Sequence, residues 1–239
     1  MKKSKKVFVI DMKDIEEFED RIGYAFHNKR LLQNALTHSS FANERHWTYN
    51  RNNERLEFLG DAVLELVSSD FIFHEHSGDM EGEMTKLRAS LVCERSLADS
   101  ARQIGLGRFI RLGKGEAATG GRERDSILSD AFEAVIGAMY LDGGLEMAKS
   151  FVKRFVLSDI ENKKLFYDSK TVLQEMIQAR GTGSICYKPV SETGPDHAKV
   201  FEVNCLLDGT CLGTGMGHSK KTAEQNAAYE ALCKLKNNK

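Results

Sequence analysis

The sequence predicts an all-helical domain over residues 14–157 and a small domain of order α-β-β-β-α over residues 169–238. Three observations support this prediction. Apolar residues recur at helical spacing through the first part, where strand-like alternation is rare. Residues 158–168 are polar and charged, which is typical of a linker. Beyond them, three short segments have the pattern of β-strands.

Helical periodicity divides the first domain into segments that we expect to be helices. They cover about residues 14–22, 30–37, 52–75, 83–104, 126–141 and 145–157. Two glycine-rich stretches, 76–84 and 105–125, interrupt them. The second is long for a loop in a compact domain, and such loops are usually functional or mobile.

The second domain begins with the helix "KTVLQEMIQARG", which ends at Gly181. Three strands follow, "SICYKPVSE", "AKVFEVNCLLDG" and "TCLGTGMG". The Asp208–Gly209 pair predicts a tight hairpin between the second and third strands. The closing segment "SKKTAEQNAAYEALCKLK" is rich in strong helix formers, so a helix completes the domain.

Composition narrows the class of protein. Of 239 residues, 41% are hydrophobic and 29% charged, which is ordinary globular usage. The net charge of −1 does not indicate a protein that binds polyanions, so any polyanion-binding site must arise from local clustering of basic residues. Five cysteines without a C-x-x-C pair indicate reduced thiols rather than a disulfide framework or a zinc site. No apolar run suits a signal peptide or a membrane span, so we expect a cytoplasmic protein with no membrane partner.

The stretch "NERLEFLGDAVLELV", residues 53–67, places acids in a run that otherwise resembles core. On a helix, Glu54, Glu57, Asp61 and Glu65 fall within a stripe about 80° wide, opposite the apolar Leu56, Leu59, Val63 and Leu66. An acidic face in water is one explanation. However, Glu57 and Asp61 are like charges four residues apart, which destabilises a helix by roughly 0.2–0.5 kcal/mol. No basic residue lies within the stripe to relieve them.

A second acidic pair lies in "SILSDAFEAVIGAMYL", residues 126–141, which is apolar almost all the way round and therefore predicts a buried helix. It carries Asp130 and Glu133 but no lysine or arginine, so their charge must be compensated from elsewhere. With Glu57 and Asp61 they supply four carboxylates, the oxygen ligands that Mg²⁺ prefers. Two such ions would balance the charge and suit phosphodiester hydrolysis. The lack of nearby cysteine or histidine ligands disfavours zinc.

"NERLEFLGD" and "DAFEA" resemble the two acidic motifs of the ribonuclease III family, which cuts double-stranded RNA. The resemblance covers essentially the whole chain after residue 14. It implies an all-α endonuclease domain followed by a small α+β double-stranded-RNA-binding domain. It also implies Mg²⁺-dependent hydrolysis that leaves staggered ends, with Mn²⁺ as a possible substitute and no small-molecule cofactor. Ribosomal RNA precursors and other structured transcripts are the expected substrates.

The resemblance also assigns roles to the acids. Glu57, Asp130 and Glu133 correspond to metal ligands, and Asp61 to the residue that positions the metal or the attacking water. Asp61 and Glu133 are the expected catalytic residues. Family members form homodimers through the catalytic domain, and Phe58 and Leu59 suit such a contact. Packing within one subunit would explain the same apolar residues.

Other residues near these motifs receive lesser roles. Glu54 and Glu81 match auxiliary acids of the family near the active site and the dimer contact, although surface acids would look the same. Glu65 matches no catalytic acid, and we expect it at the surface. His38, in "LTHSS", is expected to be structural.

The start of the last helix predicts an anion-binding site. Ser219 suits the N-cap, and Lys220 and Lys221 follow in the first turn. Helix N-termini favour phosphate, whereas lysines are disfavoured there by the helix dipole, so two lysines suggest contact with an anion. A nucleotide-binding P-loop is excluded because the string G-x-x-x-x-G-K-[ST] is missing.

The second domain resembles a double-stranded-RNA-binding domain, which reads the shape of A-form RNA. In that family, the lysines contact phosphates across the major groove and a loop histidine, here His197, enters the minor groove. Contacts to sugar 2′-hydroxyls correspond to Gln174, Glu175 and Gln178. Arg122 and Arg124, in the long loop of the first domain, are further candidates for RNA contact.

Two other functions are compatible with parts of this pattern. A protein of the same fold could bind RNA without cutting it, but such relatives lose the acids, and all four are present. A helical metal-dependent phosphohydrolase could act on nucleotides, but the second domain argues against it.

Overall fold

The computed structural model describes residues 12–48, 51–181, 183–194, 199–217 and 219–237. The chain divides into two compact units, Met1–Ile160 and Glu161–Lys239. None of the helices in the described ranges is long and apolar enough to cross a membrane.

The first unit is built from helices, as the sequence predicted. They are α1 (Met12–Ile22), α2 (Lys29–Ala35), α3 (Ser39–Glu44), α4 (Glu54–Glu75), α5 (Glu81–Val92), α6 (Glu94–Gln103), α7 (Lys114–Ala118) and α8 (Asp125–Phe155). The extended backbone of Cys93 separates α5 from α6, where the periodicity predicted one helix. Helix α8 joins two predicted helices across Gly144, whose φ of 81° is not helical.

The segment 105–125 was predicted to be a long glycine-rich loop, but it contains regular structure. Two 3-10 turns, Leu106–Arg108 and Gly121–Glu123, flank helix α7. The Arg122 guanidinium donates to the carbonyls of Gly107, Arg108 and Ile110 at 2.7–3.2 Å. Main-chain carbonyls are thus satisfied by one side chain, which holds the segment in a defined shape.

Helices α4 and α8 form the centre of the first unit. From α8, side chains such as Phe132, Val135 and Ile136 are fully buried. From α4, Leu56 and Val67 enter the same core. Leu66 was expected on the apolar face but is 58% exposed. The buried side of α4 is centred near Val67. Leu66 is rotated by 100° from Val67 around the helix and therefore falls outside the buried side.

The second unit has the predicted α-β-β-β-α order, preceded by one further helix. Its elements are α9 (Ile160–Tyr167), α10 (Ser169–Ala179), β1 (Ile185–Thr193), β2 (Val200–Leu207), β3 (Thr210–Gly217) and α11 (Lys220–Asn237). The strands form an antiparallel sheet of order β1-β2-β3. At the hairpin, Asp208 and Gly209 have φ of 49° and 84°, as the tight turn requires.

Close packing of α11 on β3 depends on small residues. A Cβ at Gly215 would lie 2.2 Å from the carbonyl oxygen of Ala223, and one at Gly213 would lie 2.4 Å from that of Ala227. The glycine-rich strand therefore lets the helix backbone approach the sheet.

Helix α9 lies in the segment predicted to be a linker. The Phe166 ring packs edge-on against Tyr229 with centroids 5.1 Å apart. The Gln225 Nε2 atom donates to the Phe166 carbonyl at 2.8 Å. Much of this polar segment therefore belongs to the second unit, which its composition did not reveal.

Candidate active site

Helices α4 and α8 touch backbone to backbone at two glycines. A Cβ at Gly60 would lie 1.8 Å from the carbonyl oxygen of Glu133, and one at Gly137 would lie 2.2 Å from that of Leu56. Real Cβ atoms do not approach so closely, so any larger residue would push the helices apart. The glycine of "NERLEFLGD" is therefore part of the helix crossing.

This crossing brings the two predicted acidic pairs together. Glu57 and Asp61 flank Gly60 on α4, and Asp130 and Glu133 lie on α8. The pKa of Glu133 is raised to about 8 by burial and then by Asp61, Asp130 and Glu57. That of Glu57 is raised to about 7 by burial and then by Asp130, Glu54 and Asp61. Negative charge is thus concentrated among four carboxylates, which come from two pairs about seventy residues apart in sequence.

Asp130 has a different set of neighbours. Burial raises its pKa, while His38 and a hydrogen bond from Ser129 lower it. His38 has the structural role expected of it, because its Nδ1 accepts the Ser40 amide at 3.3 Å and caps α3. Its electrostatic effect on Asp130 was not predicted, since the two residues are remote in sequence and meet only in the folded chain.

The cluster fits a hard divalent cation in charge and in ligand chemistry. Carboxylate oxygens are the ligands that Mg²⁺ prefers. A cation would offset both the burial and the mutual repulsion that raise the pKa of Glu57 and Glu133. Within the described ranges, no three acidic, histidine or cysteine side chains already surround one ion-sized position. The fit therefore rests on the donor set rather than on preformed coordination geometry.

The remaining acids differ in their surroundings. Glu54 is exposed, accepts a hydrogen bond from Asn52 Nδ2 at 2.9 Å, and contributes to the raised pKa of Glu57. Glu81 is exposed at the start of α5 and accepts from Thr85 Oγ1 at 3.1 Å. It is not among the groups that raise the pKa of Glu57 or Glu133. Only Glu54 of the two auxiliary acids therefore adjoins the cluster within this chain.

Glu65 is only partly the surface acid that the sequence suggested. Its carboxylate pairs with Arg88 of α5 at 2.9 Å, and the same guanidinium donates to Ser69 at 2.8 Å. Glu65 also contributes to the raised pKa of Glu133. Sequence reasoning missed Arg88 because its partner lies on another helix, and no local spacing links the two.

An exposed apolar stripe runs along α4. Its members are Phe58, Leu66 and Phe73, which are 81%, 58% and 65% exposed. They fall within about 80° of one another around the helix. Leu59, the other residue expected at a dimer contact, is half-buried. Single exposed apolar residues are ordinary, whereas several large ones on one side of a helix are typical of an interaction surface.

The N-terminus of α11 has the predicted cap. Ser219 Oγ accepts the amide of Thr222 at 3.1 Å. Lys220 and Lys221 follow and are exposed, and the Lys220 Nζ lies 5.9 Å from the centre of the Phe201 ring. The predicted minor-groove residue, His197, lies outside the described residues.

The predicted sugar contacts share the exposed side of α10. Gln174, Glu175 and Gln178 are exposed, whereas Leu173 and Ile177 face the core of the unit. The two glutamines also line a groove of about 280 Å³ between α10 and the start of β1. These side chains are therefore accessible to a ligand.

The two arginines proposed from the long loop are engaged within the fold. Arg122 donates to three carbonyls, as described above. Arg124 pairs with Glu116 at 2.7 Å and donates to Thr119 Oγ1 at 3.2 Å. Their local contacts explain both residues without RNA.

Comparisons with known proteins identify a family for each unit. Residues 28–160 match the family model described as Ribonuclease-III-like, and residues 169–235 match that of the double-stranded RNA binding motif. The chain is 47% identical over 235 residues to Ribonuclease 3 of Bacillus licheniformis, covering 98% of this chain and 94% of the relative. It is 48% identical to Ribonuclease 3 of Streptococcus gordonii, covering 89% and 93%.

Two solved structures of the nuclease domain of ribonuclease III from Campylobacter jejuni are also similar. One has a TM-score of 0.57 and 47% identity, covering 63% of this chain and 98% of that chain. The other has a TM-score of 0.56 and 48% identity, covering 59% and 95%. The second is described as showing structural flexibility in the region involved in dimer formation.

Proposed function

The chain belongs to the ribonuclease III family of double-stranded-RNA endoribonucleases, and from this premise we propose that its four clustered carboxylates hydrolyse duplex RNA with Mg²⁺. The observation that supports the proposal most directly is the meeting of Glu57 and Asp61 with Asp130 and Glu133 where α4 crosses α8. Mn²⁺ has similar ligand preferences and is expected to substitute.

In this proposal, Glu57, Asp130 and Glu133 hold the metal, and Asp61 orients the attacking water. When bound, magnesium supplies a Lewis acid for phosphate oxygens and a means of activating water at neutral pH. Glu57 and Glu133 hold protons more tightly than free glutamate, so they must release them before they can act as ligands. Glu54 supports the cluster from its edge, and Glu81 is proposed to act across the subunit contact.

We propose a homodimer formed through the apolar stripe of α4. The exposure of Phe58 supports this assembly, because an 81% exposed phenylalanine beside an active site is a ready contact for a second copy. The relative from Campylobacter jejuni has a dimer-forming region in the same domain. Two active sites in one dimer would each cut one strand of a duplex and leave staggered ends.

The second unit is proposed to bind the duplex by its shape. Contact residues in this proposal are Gln174, Glu175, Gln178, His197, Ser219, Lys220 and Lys221. Exposure of the described members of this set supports it. The proposed domains are residues 14–157 and 169–238, joined by 158–168, and the proposed substrates are ribosomal RNA precursors and other structured transcripts in the cytoplasm.

Cleavage of a long RNA duplex by the purified full chain tests this function. We expect cutting with Mg²⁺, none with a chelator, and none of single-stranded RNA. Glu133→Gln should lower kcat by about 100-fold or more, the scale for removing one group that stabilises transition-state charge. Glu75→Gln, an exposed acid at the end of the same helix α4, is the matched control and should cut normally.

The competing functions give different results in this assay. A pure binding protein would retain the duplex uncut with every metal supplied. A nucleotide phosphohydrolase would turn over nucleotides as fast after removal of the second unit. Normal cutting by Glu133→Gln would reject the assigned mechanism.

A further inference from the structure

Two arginines stack on two aromatic rings, one in α3 and the other in the segment that follows it. The guanidinium carbon of Arg45 lies 3.4 Å from the centre of the Phe41 ring. That of Arg51 lies 5.8 Å from the centre of Trp47. The two rings meet edge to face at 5.6 Å. We call Arg45, Trp47 and Arg51 the basic patch.

A third arginine, Arg111, packs against the same two rings. Arg111 lies 5.2 Å from the Phe41 ring and 5.6 Å from that of Trp47, and it donates to the Gln33 carbonyl at 2.7 Å. Burial lowers the pKa of Arg111 to about 10, and the charge of Arg45 adds to this effect. Positive charge is thus concentrated here, on a base of packed rings that holds it in place.

Helix α3 connects the basic patch to the acidic cluster. His38 caps the other end of α3 and acts electrostatically on Asp130. Because an α-helix rises about 1.5 Å per residue, Arg45 lies roughly 10 Å from His38 along the axis of α3. The amide of Asn53 donates to the Thr37 carbonyl at 2.8 Å, which joins the start of α4 to the same segment.

We propose that the basic patch binds the phosphate backbone of the RNA duplex next to the bond that is cut. This inference rests on the proposed function. Four carboxylates repel a polyanion, so a duplex placed over them needs positive charge close by. Guanidinium groups match phosphate geometry, and aromatic rings orient them through cation–π contacts. In this proposal the RNA-binding unit and the basic patch both contribute affinity, and the basic patch also sets where the duplex lies on the nuclease unit.

The chain contains one tryptophan, Trp47, so its fluorescence reports on the basic patch alone. The experiment uses full-length Glu133→Gln protein with Mg²⁺ and a fluorescently labelled RNA duplex. We expect Trp47 emission to change with the same midpoint as the anisotropy of the RNA. Adding Lys220→Ala and Lys221→Ala should shift that midpoint but preserve the change at saturation.

Two results would overturn the proposal. One is constant Trp47 emission while anisotropy shows a saturated complex. The other is a response to polyglutamate at equal charge that matches the response to duplex, which would indicate an acidic protein partner instead.

Kinetics of an Arg45→Ala/Arg51→Ala variant supply the second test. We expect a higher KM, an unchanged kcat, and a smaller dependence of binding on salt, by about one unit of log–log slope per lost phosphate contact. Arg51→Lys should recover part of the loss. The control is Arg21→Ala, which removes an arginine that also stacks on a ring, Phe109 at 5.4 Å, but is paired with Glu17.

The results separate this inference from the proposed function. If wild-type protein cuts duplex and the double variant keeps the wild-type KM and salt slope, only the basic patch is rejected. If wild-type protein does not cut, the salt slope still shows whether the patch binds RNA. Arg51→Ala alone, at an exposed position, guards against misfolding of the double variant.

Discussion

Gly60 lies directly against the main chain of Glu133, so that a Cβ at residue 60 would stand 1.8 Å from the Glu133 carbonyl oxygen. The glycine of one acidic motif is therefore packed on the backbone of a catalytic candidate in the other. Because acids lie at this contact on both helices, the distance between the two motifs depends on the absence of a side chain at residue 60.

Gly60→Ala should damage both stability and metal binding. Forcing one methyl group into a packed contact typically costs about 1–3 kcal/mol, and here the obstruction is a backbone that cannot rotate away. We expect a lower midpoint in urea unfolding and weaker Mg²⁺ binding by calorimetry. Gly78→Ala is the control, since a Cβ there meets nothing within 4 Å. Equal Mg²⁺ affinity in Gly60→Ala and wild type would contradict the role of the crossing.

The metal-free protein should lose stability as pH rises. Glu57 and Glu133 have folded-state pKa values near 7 and 8, above the usual 4.5. Between pH 4.5 and 8 the folded state therefore binds more protons than the unfolded state. The contribution of Glu57 and Glu133 to the free energy of unfolding is full below pH 4.5 and is lost as the pH rises through 7 and 8. Thermal unfolding at pH 6 and pH 8.5 without metal would measure the decline. Glu133→Gln should flatten it, and a slope as steep as wild type would refute the assignment.

Mg²⁺ binding should release the protons that Glu57 and Glu133 hold in the metal-free protein. Ligands must be deprotonated, so affinity should rise between pH 6 and pH 8.5 and each binding event should release protons. Calorimetry in two buffers of different ionisation enthalpy counts these protons directly. Binding heats that are identical in both buffers would mean that Glu57 and Glu133 are already ionised.

Phe58→Glu should weaken the proposed dimer. The change places a charge on the apolar stripe that includes Leu66 and Phe73, and burying an unpaired charge is costly. Sedimentation velocity should show monomer at concentrations where we expect the wild type to form a dimer. Val190→Glu, at a 51% exposed position in the second unit, should leave the assembly unchanged. A Phe58→Glu protein that sediments as wild type would move the interface elsewhere.

Lys220→Ala/Lys221→Ala should weaken duplex binding in a salt-dependent way. Each phosphate contact contributes about 0.9 to the log–log salt slope, so losing both lysines should flatten it by up to about 2. Affinity for duplexes of different sequence should fall equally, because phosphates carry no sequence information. An unchanged slope would remove these lysines from the interface.

Much of the fold followed from local sequence patterns. The helical character of the first unit, the three strands, the Asp208–Gly209 turn and the Ser219 cap each depend on residues within a few positions of one another. Periodicity and turn chemistry are local signals, and they were sufficient there. They failed at Cys93, where an extended residue divides a continuous helical pattern, and at Leu66, where the direction of packing decides which side is buried.

The amino-acid sequence by itself determined which residues could form the site: four acids in two motifs, and two lysines at a capped helix. Only the tertiary structure decided what they meet. The Gly60–Gly137 contact joins the acidic pairs, Arg88 pairs with Glu65, and α9 packs on α11. These contacts join elements remote in sequence, and their energy depends on distance and burial in the folded chain, which no local spacing contains.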